Sequence, residues 1–124
     1  MQGYTANIED VSKANNNFRQ VLYTGAHLQL VVMSLQPGEE IGIETHPSTD
    51  QFFRVEEGTL KFVVNGEETM VEEDGIFVVP GGSEHNVINV GREVAKMYTI
   101  YAPPNHPDGT IHATKADAVA AEHH

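Results

Sequence analysis

The chain has 124 residues, 40 % of them hydrophobic, which suits one domain with a single modest core. Seven basic and 18 acidic residues give a formal net charge of -11, which argues against nucleic-acid or anionic-membrane partners, since both are met by Lys/Arg-rich faces. Zero cysteines exclude disulfides, thiolate metal sites and a cysteine nucleophile, and the opening "MQGYTANIED" lacks the apolar core of a signal peptide, so the expectation is a cytoplasmic protein.

Residues 1–17 show no strand pattern and read as an N-terminal extension. From Phe18 onward, short runs rich in Val, Ile, Phe, Leu and Tyr alternate with Gly, Asn, Pro and acidic residues, a pattern that predicts strands. They are placed at 19–24, 28–35, 41–44, 51–56, 59–64, 67–71, 76–79, 86–89 and 94–101. Between two of them stands Asn65-Gly66, the pair preferred in a type I′ turn, where both central residues need positive φ. Strands at this spacing without helical periods predict an all-β unit over 18–104, an antiparallel sandwich or barrel. Residues 105–124 form a C-terminal segment in which "KADAVAAE", at 115–122, predicts a short helix. His123 and His124 resemble the start of an affinity tag and are left out of site reasoning. No internal repeat is present.

Two stretches carry chemistry. In "IGIETHPSTDQFF", Glu44 and His46 are two apart on a strand and project from one face. Gln51 opens the following strand, and if the "PSTD" turn closes a hairpin it lies across from that pair. In "DGIFVVPGGSEHNVIN", a strand meets Pro80-Gly81-Gly82 and the chain returns with His85 at the head of the next strand. A carboxylate, two imidazoles and a carboxamide would then be available to one ion.

These two stretches resemble the paired motifs of the cupin superfamily, G-x5-H-x-H-x(3,4)-E-x6-G and G-x5-P-x-G-x2-H-x3-N. Gly38, His46 and Gly58 fall on the first, and Pro80, Gly82, His85 and Asn89 on the second. Three positions depart: Glu44 replaces the first histidine, Gln51 replaces the glutamate, and Asp74 stands at the opening glycine of the second motif, with Gly75 one place later. The resemblance implies a small cupin β-barrel, or jelly roll, holding one divalent transition metal through Glu44, His46, Gln51 and His85. Exchange of carboxylate and amide keeps one negative charge in the set, similar in type to the Gln, His, Glu, His set of phosphomannose isomerase-like cupins. Zn is the first choice for such N/O donors, with Fe, Mn, Ni or Co also suited. A phosphosugar substrate is not implied, because "QFFR" offers a single arginine in a strongly acidic chain.

The resemblance further implies small-molecule chemistry at the metal, with isomerisation or a related proton transfer as the leading class. The alternatives are Fe(II)-dependent dioxygenase chemistry and non-catalytic ligand binding or sensing. Candidates for the base are Tyr98, Tyr101 and His106. Phe53 and Val55, in phase with Gln51, are expected to face the pocket, and Phe52 and Arg54 to face away. His106, Asp108 and His112 lie in a Pro/Gly-rich segment that could fold over the barrel mouth, whereas His27 is expected at the surface. A homodimer is expected, because open sheet edges need cover.

Overall fold

A computed structural model describes residues 3–122. The chain opens with helix α1 (Ile8–Ala14) and continues through β1 (Arg19–Thr24), β2 (Gln29–Leu35), β3 (Glu44–Thr45), β4 (Asp50–Glu57), β5 (Leu60–Val64), β6 (Glu67–Val71), β7 (Ile76–Val79), β8 (Glu84–Asn89), β9 (Ala95–Ala102) and β10 (Ile111–His112) to helix α2 (Lys115–Glu122). Two antiparallel sheets result, one in the order β10-β1-β2-β9-β4-β7 and one in the order β3-β8-β5-β6. Period-2 alternation explains how they face each other. In β4, Gln51, Phe53 and Val55 are buried while Phe52 and Arg54 are partly exposed, and the same alternation sends Leu60 and Phe62 of β5 inward. Phe62 joins the layers: its ring meets Phe53 edge-on at 5.0 Å and stacks on Phe77 at 4.9 Å. Burial of each such side chain contributes about 1.5–3 kcal/mol.

The Asn65-Gly66 turn forms as its sequence predicts. Val64 pairs with Glu67 across it, and Asn65 (φ 50°) and Gly66 (φ 84°) both adopt the left-handed conformation. The strands expected at 19–24, 67–71 and 76–79 form with those bounds, and the others apart from β3 shift by a residue or two at one or both ends. β3 is the larger departure, starting at Glu44 rather than at 41, because Gly42 (φ 107°) breaks the extended run and leaves only a single bridge from Glu40 to Ile88 upstream.

One expected pairing is not formed. The "PSTD" turn does not close a hairpin: β3 pairs with β8, and β4 pairs with β7 and β9 in the other sheet. The turn therefore crosses between layers and brings Gln51 to the far wall of the barrel.

Two elements lacked a strand or helix signal. α1 is capped by Asn7, whose side-chain carbonyl accepts from Asp10 N–H at 3.1 Å, and the "NIED" sequence carries that cap. β10 comes from the segment after 104 and pairs with β1 through Arg19–His112 and Gln20–Ile111, so this segment extends the larger sheet. α2 occupies Lys115–Glu122, where the sequence places it.

Asp74 accounts for the departure at the second motif. It sits at φ 69°, a conformation that glycine takes freely and aspartate tolerates better than most residues. Its carboxylate accepts from Arg54 Nη2 at 3.1 Å. The next residue is constrained differently: a Cβ on Gly75 would meet Val71 Cγ1 at 2.7 Å and the Glu72 carbonyl oxygen at 2.9 Å.

Candidate metal centre and its surroundings

Glu44 and His85 face each other as partners of the short β3–β8 ladder. Glu44 and His46 project the same way, and Glu44 Oε2 lies 3.1 Å from His46 Nε2. Apart from this contact the buried Nε2 has no partner. The imidazoles of His46 and His85 lie 5.4 Å apart. The Pro80-Gly81-Gly82 turn locks the two stretches together: Gly82 N–H donates to the His46 carbonyl at 2.9 Å and Gly81 N–H to the Asp50 carboxylate at 2.8 Å.

Two donors are oriented by their neighbours. His85 Nδ1 lies 3.0 Å from the Ser83 carbonyl; a carbonyl only accepts, so Nδ1 carries the proton and Nε2 keeps its lone pair. Gln51, 2 % exposed, donates through Nε2 to Thr99 Oγ1 at 3.0 Å. Its carbonyl oxygen Oε1 is buried without a partner, an arrangement that costs about 1–3 kcal/mol unless something fills it. Burial alone would raise the Glu44 carboxyl, but His46, then Arg19 and His85, outweigh it and hold the group below the ordinary carboxylate range.

Among the described residues, no three His, Asp or Glu side chains converge as a preformed cage. His46 is turned onto Glu44. The set reaches four donors only by counting the Gln51 amide. Its chemistry suits a divalent ion: one carboxylate, two imidazoles and one orphaned amide oxygen.

Of the three candidate bases, two stand beside this set. The buried Tyr101 ring packs edge-on against His46 at 5.9 Å. Its hydroxyl lies 3.2 Å from His106 Nε2. Burial is the largest cause raising the Tyr101 phenol, to about 12, against the opposing charge of Arg19. Burial followed by Arg19 pushes His106 down to about 4. At neutral pH this is a protonated phenol beside a neutral imidazole. Tyr98 is displaced from the site, because it is out of phase with Tyr101 and packs against Phe52 at 6.1 Å on the opposite face of β9.

Phe53 and Val55 do face inward but belong to the packed core. Neither lines the two cavities nearest the site, one of about 130 Å³ beside His85 and one of about 230 Å³ beside His106. Asp108 and His27 are exposed.

Gln29, which sequence reasoning passed over, holds His106 in place. Fully buried, it accepts from the backbone N–H groups of Asn105 (3.1 Å) and His106 (2.9 Å) and donates to the His106 carbonyl (2.7 Å). Thr99 and Arg19 were passed over as well. A polar residue at an inward position of an apolar strand was the available signal, present at all three.

Comparison with known proteins agrees with this fold. The Cupin_2 family, described as "Cupin domain", matches residues 31–101. The chain belongs to the cupin family. It is 51 % identical over 130 residues to the uncharacterized protein YrkC of Bacillus subtilis, covering 96 % of this chain and 67 % of that one. The crystal structure of BH2720 from Bacillus halodurans superposes with a TM-score of 0.94 at 46 % identity, covering 96 % of this chain and 95 % of that one. A shorter match, 34 % identical over 57 % of this chain and 48 % of the relative, is to the tetracenomycin polyketide synthase protein TcmJ of Streptomyces glaucescens. Among the described residues, no helix is long and apolar enough to cross a membrane.

Proposed function

We propose that this cupin is a metal-dependent small-molecule enzyme, with Glu44, His46, Gln51 and His85 holding one divalent transition metal, Zn in the first instance. The observation that carries this reading is the orphaned Gln51 Oε1, held by the Thr99 contact at the other end of the same amide. An inert core position would satisfy both ends. When bound, the metal supplies Lewis-acid polarisation of a substrate oxygen.

The rest is done by the chain. Tyr101, protonated up to about pH 12, donates a hydrogen bond to an oxygen on which charge develops. His106, neutral above about pH 4, with Nε2 3.2 Å from the phenol oxygen, accepts a proton from a substrate carbon while the electron pair of that C–H bond moves onto the oxygen that Tyr101 hydrogen-bonds, and returns the proton to the adjacent carbon. Gln29 keeps the His106 backbone fixed while it does so. A phenol–imidazole pair, buried at Tyr101 and half-buried at His106, beside the candidate donor set supports isomerisation or a related proton transfer over dioxygenation. Non-catalytic ligand binding is the remaining reading, and it predicts affinity without turnover.

Elemental analysis of protein purified without chelators is the first test. Stoichiometric metal, lost in His46→Ala and His85→Ala, is expected. Wild type that stays metal-free after incubation with Zn, Fe, Mn, Co and Ni would remove the proposal. Oxygen uptake by iron-loaded protein would favour dioxygenase chemistry instead.

A further inference from the structure

Arg19 is 2 % exposed, and among the described residues no carboxylate lies within ion-pair distance of it. Its Nη1 donates to His112 Nδ1 at 3.3 Å across the β1–β10 pair, while its Nε–H is buried with no partner. A permanently charged group in this state is costly unless an anion or trapped water answers it. The guanidinium borders a cavity of about 230 Å³ whose other walls include His106, Pro107, Thr110, His112 and Glu122. His106 ties this cavity to Tyr101, and Tyr101 to the metal-ligand set.

We propose that this cavity is a binding site for a small organic carboxylate, received by the fork of Arg19. One observation selects the class: the cavity carries a single permanent positive charge. His106 is held neutral, and His112 is also pushed below its ordinary range, by burial and then by Arg19. One guanidinium with a free Nε–H matches one carboxylate, whereas a phosphate dianion calls for more than one cation. Glu122, on the cavity wall, opposes the incoming charge, which limits the site to weak affinity for a simple acid. The site stands on Arg19 and its cavity alone and does not require a metal at Glu44 and His46.

The experiment is a titration of the chelator-treated 124-residue protein with sodium acetate, followed through the Arg19 Nε–H resonance by NMR. Saturable movement with a millimolar midpoint is expected. Arg19→Gln, followed through the ring resonances of His106 and His112 on the cavity wall, should weaken acetate binding by about tenfold or more, the worth of a charge-assisted hydrogen bond. Glu122→Gln, a surface change that leaves the fold intact, should tighten it about two- to threefold. No saturable movement at Arg19, an equal response to sodium chloride at matched ionic strength, tighter binding of inorganic phosphate, or a response that appears only after metal is added would each overturn the proposal. Failure of the metal tests on His46 and His85 would leave this outcome unchanged.

Discussion

Gln51 separates a metal ligand from a merely buried amide most cleanly. Gln51→Ala should lower metal affinity by about tenfold or more, read by competition with a calibrated chelator. Gln51→Glu should raise it, because a second carboxylate joins Glu44, and should destabilise the metal-free protein for the same reason. Unchanged affinity in both would reduce Gln51 to a neighbour of the site. His106 gives a second prediction at this scale. Its folded pKa of about 4 lies below the ordinary 6.5, so between those values the unfolded chain binds a proton that the folded chain does not. His106 burial therefore costs nothing above about pH 6.5, and stability falls as pH drops toward 4. Urea unfolding should show that loss diminished in His106→Asn, by on the order of 2 kcal/mol after allowing for partial exposure. Identical pH profiles would contradict it. Gly75→Ala, with its Cβ forced to 2.7 Å from Val71 Cγ1, should cost about 2–3 kcal/mol, whereas Asp74→Gly should be nearly neutral in stability.

At the scale of elements, Asn89 shows how the second motif is used. It is 1 % exposed and donates to the carbonyls of Leu35 and Glu93, both at 2.9 Å, while its own carbonyl accepts from Gly91 N–H. One side chain thus ties the end of β8 to the end of β2 and closes the turn into β9. Asn89→Ala would orphan these groups and is expected to cost about 3 kcal/mol in thermal or chemical unfolding. The elements themselves were largely legible from sequence, since strand alternation and the Asn65-Gly66 signal are local properties of the chain. The sheet that each strand joins was not legible. The turn at 47–49 reads equally well as a hairpin or a crossover, and only burial of both inner faces selects the crossover.

For the whole molecule, the outer face of the larger sheet invites a partner. Rows such as Leu30–Ile100–Phe52–Val78 run across β2, β9, β4 and β7, and at the β7 edge Ile76 and Val78 are each 53 % exposed. An uncovered apolar edge strand favours association, so the expected homodimer would use this edge. Analytical ultracentrifugation should find a dimer in wild type and a monomer in Ile76→Lys/Val78→Lys. A monomeric wild type at micromolar concentration would exclude it.

Local periodicity and turn chemistry in the sequence determined the strands, the donor-bearing stretches at 44–51 and around His85, and the C-terminal helix, because each depends on residues close together in the chain. Tertiary structure decided which groups meet. It moved Phe53 and Val55 into the core, turned Tyr98 away, set Tyr101 on His46, and used Gln29 to bring His106 to Tyr101. It also buried Arg19 beside a cavity with its Nε–H unpartnered. Those outcomes depend on strand register and on how two sheets close over one another, and neither is encoded within any single stretch of the chain.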